Sequence, residues 1–357
     1  MAVKSLRRLT AITVPIIEIM KKSIPYCLLL LVSLWLFSCE KADEYSSAPR
    51  ENFEALWKIM DEHYCFFEYK DVDWNDVYAR YSVQVTDTMK QDQLFKLLGE
   101  MLNELKDGHT NLISSFDVSR YWKWYEDYPA NFSEDIQENY LGTDYMIAGG
   151  MKYKKLSKDV GYIYYGSFSN AVGETNLDYI LMYFKDCKAI ILDVRDNGGG
   201  SLTYSDRIAA RFLDNKITTG YILHKTGTGH NDFSRPYELT LIPSERVRWL
   251  RPVVVLTNRH CFSATNDFVN KMKMMPHTTI LGDRTGGGSG FPFNSELPNG
   301  WSVRFSASPM LNAAMEHTEF GIDPDVKVNM LTEDMQRGKD TLIEAALQLI
   351  ERMNIKI

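Results

Sequence analysis

Two patterns of apolar residues divide the chain. From Phe53 to about Leu112, apolar residues recur every three to four positions, and this spacing predicts helices. After residue 157, short runs rich in Val and Ile alternate with stretches of ten or more residues at helical spacing. Helices of that length between strands act as crossover connections, so the pattern predicts a mostly parallel, buried sheet. The alternating segments are VGYIYY, ETNLDYILMYFKD, KAIILDV, SLTYSDRIAARFL, RPVVVLTN, SATNDFVNKMKMM and TTILG.

These patterns predict a two-part body. We expect a small α-helical N-terminal domain over residues 52–112 and an α/β core over residues 157–357. Residues 113–156 are rich in Tyr, Trp and Asp but have no clear period, so they are treated as a connecting segment. Residues 39–51 are small and polar, as in a linker.

The region before the linker has the pattern of a targeting signal. From Met20 the chain reads MKKSIPYCLLLLVSLWLFSCEKADEY, with a positive start, an apolar run and a cysteine at position 39. This resembles a bacterial lipoprotein signal, which implies removal of residues 1–38 and lipid attachment at Cys39. The alternative is a transmembrane anchor, but about fourteen apolar residues are few for a hydrocarbon layer of roughly 30 Å. The resemblance implies a lipid-anchored envelope protein, with the outer membrane expected, on its periplasmic or surface side.

Charge and cysteine content exclude some classes of partner. The formal net charge is -7, and no basic blocks interleave with aromatic residues, so nucleic acid is not expected as a partner. After Cys39 only Cys65, Cys187 and Cys261 follow, an odd number without the spacing of a metal site. We therefore expect neither a disulfide framework nor a bound metal.

A glycine-rich turn follows one predicted strand, in ILDVRDNGGGSLTY. Three successive glycines at a strand-to-helix junction let backbone N–H groups face an anion. A nucleotide phosphate is disfavoured, because no Lys-Ser/Thr follows the glycines and the dinucleotide spacing is absent. Two interpretations remain for the residues alone: an oxyanion hole, or a tight turn with a purely architectural role.

A second junction of the same kind contains Ser263, in CFSATNDF. A serine at the start of a helix is either an N-cap or, when a base and N–H donors lie nearby, a nucleophile. Ser263 lies in neither a G-x-S-x-G nor an S-x-x-K motif, which argues against ordinary α/β-hydrolases and penicillin-binding enzymes.

Four stretches together resemble the S41 peptidases, the C-terminal processing and tricorn-like serine proteases. They are LDVRDNGGG, VVVLTNRHCFSATNDF, LGDRTGGGSG and EFGIDPDVKV, and the helical segment ending in LKDGHTNL resembles the N-terminal domain of tricorn-like and bacteroidal members. The resemblance implies a ClpP/crotonase-like core. It also implies that Ser263 is the nucleophile and His109 the general base. The N–H of Ser263 and that of Gly199 or Gly200 would form the oxyanion hole.

The chain departs from the family at two residues and in the expected lack of one domain. Gly288 occupies the position of the lysine in the Ser-Lys dyad of processing proteases, so a histidine base is expected instead. Gly108 stands where tricorn-like members have a supporting serine. Glu319, or less favourably Glu316, falls near the position of their supporting glutamate. A PDZ domain would need more residues than 113–156 provide, so none is expected.

The base and the activity follow from these assignments. An imidazole with an ordinary pKa of about 6.5 suits proton transfer, so activity should rise with pH through about 6 to 7.5. His260 is the second candidate base, but neighbours at a strand end rarely point at one another. The sequence therefore predicts a serine endopeptidase acting on protein or peptide without a cofactor. The alternatives are a non-catalytic binding protein on the same fold and a small-molecule esterase or amidase; the oligomeric state is left open.

Overall fold

The computed structural model describes residues 46–354. The signal region and Cys39 lie outside the described residues. From Ser47 onward the chain belongs to one compact unit. Within residues 46–354, no helix is both long enough and apolar enough to cross a bilayer.

The N-terminal helices share their hydrophobic core with a much later part of the chain. They are α1 (Pro49–His63), α2 (Trp74–Ser82) and α3 (Gln91–Asn103). Because their apolar residues recur at helical spacing, each helix buries one face. The helical prediction is confirmed, although residues 104–112 contain no helix. The core under these helices includes Phe53, Leu56, Leu98, Val303 and Phe305.

A seven-stranded sheet forms the α/β core, as the alternating pattern predicts. Its order is β13-β10-β9-β6-β5-β4-β3, and the five strands from β13 to β5 run parallel. Strands β6 and β9 are buried along their whole length, which explains their continuous apolar sequences. The strands are β3 (Met146–Ala148), β4 (Met151–Lys155), β5 (Val160–Tyr164), β6 (Ala189–Asp193), β9 (Val253–Thr257), β10 (Thr278–Gly282) and β13 (Val326–Lys327).

A second sheet, of six antiparallel strands, was not predicted. Its order is β2-β1-β12-β7-β8, and β11 also pairs with β12. In β12 the buried Val303 and Phe305 flank the less buried Arg304, the alternation of a strand with two different faces. The strands are β1 (Asn111–Ile113), β2 (Val118–Ser119), β7 (Ile217–Ile222), β8 (Tyr237–Leu241), β11 (Gly290–Glu296) and β12 (Ser302–Asn312).

Seven further helices connect or flank the sheets. Two of them, together with β2, β3 and β4, lie in the connecting segment that the pattern left unassigned. This segment therefore contributes strands to both sheets. The helices are α4 (Lys123–Glu126), α5 (Glu134–Leu141), α6 (Glu174–Tyr183), α7 (Leu202–Ala209), α8 (Ala264–Lys273), α9 (Thr332–Gln336) and α10 (Thr341–Asn354).

The parallel pairing brings the two predicted junctions together. Strands β6 and β9 are neighbours in parallel register, with Ile190 opposite Val253 and Leu192 opposite Val255. Their carboxyl ends therefore lie at the same edge of the sheet, where ligand sites form in α/β proteins. The glycine turn follows β6, and Ser263 follows β9.

Candidate active site

Ser263 and His109 are in direct contact. His109 Nε2 lies 2.9 Å from Ser263 Oγ, although the two residues are 154 positions apart in the chain. The serine side chain does not cap α8, so the N-cap interpretation of Ser263 is wrong. A hydroxyl hydrogen-bonded to an imidazole nitrogen is the arrangement in which a serine can be activated as a nucleophile.

The backbone at Ser263 is strained. Its φ is 59° and its ψ is -119°, a conformation that side-chain-bearing residues rarely adopt and that costs on the order of 1–3 kcal/mol. The surrounding turn holds it in place, since Ser263 N–H donates to Gly287 O at 2.8 Å and Ser263 O accepts from Asp267 N–H at 3.0 Å. The sharp turn places the hydroxyl at the start of the helix, facing the cavity beside His109.

His109 is buried, and burial lowers its pKa to about 4. The negative charge of Asp107 opposes this shift, whereas the positive charges of Arg304 and Lys70 add to it. The expected titration between 6 and 7.5 is therefore corrected to a lower range. Nδ1 of His109 has no hydrogen-bond partner among the described residues. Gly108, at the position of the supporting serine in tricorn-like members, has no side chain that could hydrogen-bond. A Cβ at that position would lie 2.8 Å from the Phe262 ring.

Glu319 is buried near His109 but does not hydrogen-bond to it. Its carboxylate accepts from Lys70 Nζ at 2.8 Å and from Ser289 N–H at 2.7 Å. Burial raises the pKa of Glu319 to about 7, and Lys70 opposes that shift. The sequence expectation that Glu319 supports the base is therefore not matched by a direct contact in the structure.

Lys70 links Glu319 to the loop that carries His109. Its ammonium lies 3.4 Å from Asp107 Oδ2 as well as 2.8 Å from Glu319. Asp107 in turn accepts from the backbone N–H of His109 at 2.8 Å and from Tyr64 Oη–H at 2.9 Å. Although burial lowers the pKa of Lys70, the two carboxylates outweigh it and raise that pKa. The network holds the backbone of the histidine loop in place.

Removing the cation from this network should be strongly destabilising. In Lys70→Met two buried carboxylates lose their shared partner, and we expect a loss of about 3–5 kcal/mol in the free energy of unfolding. Urea unfolding at pH 7.5 measures it. Lys58→Met is the matched control, since that exposed lysine meets Glu62 only at 3.9 Å and should change stability by less than about 0.5 kcal/mol. Similar stabilities for the two variants would contradict a structural role for Lys70.

The other predicted candidates lie elsewhere. Glu316 is exposed and accepts from Asn312 Nδ2 at 3.0 Å. The ring of His260 lies against Tyr125, with centroids 4.3 Å apart, and makes no hydrogen bond to Ser263. The structure therefore brings Glu319 and His109 to the site, and neither Glu316 nor His260.

Two of the predicted oxyanion donors are already engaged. Ser263 N–H donates to the Gly287 carbonyl, and Gly199 N–H donates to Asn197 Oδ1 at 3.0 Å. The resemblance implies a hole formed by Ser263 N–H with the N–H of Gly199 or Gly200. In the structure the Ser263 and Gly199 N–H groups are satisfied by protein acceptors, and such a group is not free for an oxyanion. Within residues 46–354, the N–H groups of Gly200 and Ala264 have no acceptor, and both residues line the cavity at Ser263.

The glycines at this turn are required by close backbone packing. Gly200 has a φ of 138°, and a Cβ there would lie 2.3 Å from the carbonyl carbon of Phe168. We therefore expect Gly200→Val to disturb the turn itself, so a loss of activity in that variant would not isolate an oxyanion donor.

Gly288 is equally confined, because a Cβ at that position would lie 2.5 Å from the Phe262 ring. No lysine lines either cavity at Ser263.

Two cavities meet at the Ser263–His109 pair. The first, of about 220 Å³, is lined largely by apolar side chains, among them Leu202, Leu239, Phe291 and Met310. The second, of about 500 Å³, is lined by the glycine turn and by the aromatic residues of the connecting segment. In the described part of the chain, no group of three or more His, Cys, Asp or Glu is arranged to hold a metal ion.

Sequence reasoning missed four residues near the site. Asp107 could have been noted, because it is two positions before His109 in DGHT. Tyr64, Lys70 and Arg304 carry no local signal, since a single tyrosine, lysine or arginine in a helix, loop or strand has an ordinary solvent-exposed alternative. Only their long-range contacts distinguish them.

A serine hydroxyl on a histidine nitrogen, at the carboxyl edge of a parallel sheet, is the arrangement found in serine hydrolases. The chain matches the model of Peptidase family S41 over residues 159–328 and that of the Tricorn protease C1 domain over residues 46–103. A crystal structure of a candidate peptidase from Parabacteroides merdae shares 67% identity, with a TM-score of 0.83, and the match covers 85% of this chain and 97% of that one. The chain belongs to peptidase family S41.

More distant relatives agree in fold. Tricorn protease of Thermoplasma acidophilum is 28% identical over 170 residues, which are 46% of this chain and 14% of that protein. Mature CPAF has 12% identity and a TM-score of 0.67, covering 86% of this chain and 99% of that one, so this likeness concerns the fold alone. The chain spans less than a quarter of the length of the curated relatives it matches.

Proposed function

We propose that the protein is a serine endopeptidase in which Ser263 is the nucleophile and His109 the general base. The observation that carries the proposal is the 2.9 Å contact between His109 Nε2 and Ser263 Oγ at the strained turn before α8. Membership of peptidase family S41 supports peptide bonds as the target.

The chemistry divides into formation and hydrolysis of one acyl-enzyme, and each half involves two proton transfers through His109 Nε2. His109 Nε2 takes the Ser263 hydroxyl proton while Oγ attacks the substrate carbonyl carbon, and the same proton then passes to the leaving amine as the C–N bond breaks. Water afterwards attacks the ester, giving one proton to Nε2, which returns it to Oγ. The low pKa of His109 keeps the imidazole neutral and ready to accept a proton at neutral pH.

The negative charge of the tetrahedral intermediate needs hydrogen-bond donors. Gly200 N–H and Ala264 N–H are the proposed pair, since neither has a protein acceptor in the described residues and both line the cavity beside Ser263. Ala264 N–H lies at the N-terminus of α8, where the helix dipole favours negative charge.

The contact also weighs against a non-catalytic binding protein, because binding alone does not require a hydrogen bond between Ser263 and His109. A closed pocket too narrow for an extended peptide would favour an esterase or amidase acting on small molecules, whereas two cavities meet at Ser263. Two cavities that meet at the serine fit an extended peptide better than a small molecule.

A serine-directed fluorophosphonate probe tests the proposal. We expect the probe to label the wild-type protein and peptide mapping to place the adduct on Ser263. Ser263→Ala should not be labelled. Ser201→Ala, which changes a serine beside the glycine turn, should be labelled to the same extent as the wild type. Absence of labelling in the wild type, together with no peptide hydrolysis, would favour a binding protein.

The pH dependence of activity follows from the buried base. A histidine acts as a base only when neutral, so kcat/KM should rise with pH through the His109 pKa, at about 4, and stay level from about 5 to 7. Steady-state hydrolysis of a peptide ester across this range measures it. An inflection near 6.5 would instead indicate an imidazole exposed to water in solution.

We also propose that the mature protein is anchored by lipid at Cys39, on the lipoprotein-like sequence from Met20 to Cys39. Cys39→Ser should leave the protein unlipidated and release it from the membrane fraction. Fractionation followed by immunoblotting measures the release, with Cys65→Ser as the control that should stay in the membrane fraction. Membrane retention of Cys39→Ser would contradict the lipid anchor.

A further inference from the structure

Arg304 stands where the two cavities of the active site meet. It lines both of them, together with His109 and Ser263. It lies on β12 between Val303 and Phe305, whose side chains are buried in the core beneath the N-terminal helices. Because side chains alternate along a strand, Arg304 projects from the opposite face, toward the active site.

The Arg304 guanidinium is half-buried but has no anionic partner. Within residues 46–354 its side chain makes neither a hydrogen bond nor an ion pair. The two fully buried arginines are paired with carboxylates: Arg195 contacts Asp193 and Asp340, and Arg211 contacts Glu174 and Asp178. Arg259 is buried without a carboxylate partner, but it donates to the backbone carbonyls of Trp124 and Thr285. A guanidinium with five donors directed into a cavity is suited to bind a carboxylate through two parallel hydrogen bonds.

The second cavity is positively charged although the whole protein is acidic. Its lining contains Arg304 and, at the exposed rim, Arg120, but no Asp or Glu. The formal net charge of the chain is -7, so this lining differs in sign from the molecule around it. In the first cavity the one carboxylate, Asp267, already contacts Lys271 and accepts from Ser205 Oγ–H. A site with these charges favours negatively charged substrates.

We infer that Arg304 is a specificity-determining residue that binds a carboxylate of the peptide substrate close to the scissile bond. The inference rests on the proposed peptidase function. The apolar first cavity takes an uncharged side chain on the other side of Ser263, so the preferred substrate combines an apolar residue with a nearby negative charge. That carboxylate is supplied either by an Asp or Glu side chain or by the C-terminus of the peptide.

Binding to Ser263→Ala separates the two sources. Four dansyl octapeptides share a central Leu-Ala pair and differ in two features: Glu or Gln on each side of the pair, and a free or an amidated C-terminus. Fluorescence anisotropy at fixed salt gives Kd for each. We expect at least about ten-fold tighter binding when the relevant carboxylate is present, as for hydrogen bonds to a charged group. A preference for Glu identifies a side chain, and a preference for the free acid identifies the C-terminus.

Substitution of the arginine then assigns the preference. Adding Arg304→Gln to the Ser263→Ala variant should remove the difference in Kd between charged and neutral peptides. Adding Arg304→Lys instead should retain part of that difference. Arg337→Gln is the matched control, because Arg337 is exposed and lines neither active-site cavity. Thermal unfolding checks that each variant is folded. Equal Kd values for all four peptides, or a preference that survives Arg304→Gln, would overturn the inference.

Hydrolysis by the wild-type protein distinguishes this inference from the proposed function. Cleavage of all four peptides at equal kcat/KM would leave a peptidase without a carboxylate subsite. An Arg304-dependent binding preference without cleavage of any peptide would support the carboxylate site and contradict the peptidase.

Discussion

Ser263→Ala is expected to lower kcat for peptide hydrolysis by about 10⁴-fold or more, and His109→Ala to lower it by a similar factor. The two side chains share one hydrogen bond of 2.9 Å and act on one proton, so removing either disables the same step. The double variant should therefore be no slower than either single variant by more than a few-fold. Initial rates on a protein substrate or a peptide ester measure all three.

Controls for this prediction come from the two glutamates. Glu319→Gln should cost less than either substitution, because no hydrogen bond joins Glu319 to the imidazole. Glu316→Gln should leave the rate unchanged, since Glu316 is exposed and its carboxylate accepts a hydrogen bond from Asn312 Nδ2 in the same turn. If His109→Ala retained most of the rate while Ser263→Ala lost it, the base would be another residue and His260 would be tested next.

Replacing the Ala264 amide by an ester is expected to lower kcat by about 10²- to 10³-fold. Incorporation of lactic acid at position 264 exchanges the N–H for an oxygen and leaves the methyl side chain in place. The ground-state contact of Ser263 with His109 should persist, because it does not involve this N–H. Only stabilisation of the tetrahedral oxyanion is removed, so the loss should appear in kcat more than in KM.

An ester at Ala313 is the matched control. Ala313 is an exposed alanine in the turn after β12, and its N–H has no acceptor in the described part of the chain. The same chemical change there should leave kcat unaffected. Full activity of the ester at position 264 would contradict a role for Ala264 N–H and assign the oxyanion to other donors, such as Gly200 N–H.

A mostly parallel, buried sheet could be predicted from the chain alone, although its strand order could not. The segments KAIILDV and RPVVVLTN contain continuous apolar runs rich in Ile and Val, which are typical of strands buried on both faces. Since the carboxyl ends of such strands share an edge, the glycine turn and Ser263 could be expected at one site. The antiparallel sheet could not be predicted in the same way, because alternation in β11 and β12 is interrupted by glycine, proline and small polar residues.

The proposed base, His109, was identified by resemblance to the family rather than by a local pattern. His109 lies 154 residues before Ser263, and the motif DGHT alone does not say which strand end it faces. Its pKa was misjudged for the same reason, since burial is a property of the packed fold and it lowers that pKa to about 4. The sequence shows that His109 is present, but not how deeply the fold buries it.

The sequence by itself determined the helices, the parallel strands and the residue types that can perform acyl transfer, because these follow from local periodicity and local turn chemistry. Tertiary structure alone decided which N–H groups remain free, since Ser263 and Gly199 are satisfied by acceptors that only folding brings near. It also decided that Lys70 contacts two carboxylates, whereas Arg304 faces the cavities without a carboxylate partner. Such contacts join positions far apart in the chain, where the free energy of burial and pairing, rather than local preference, selects the arrangement.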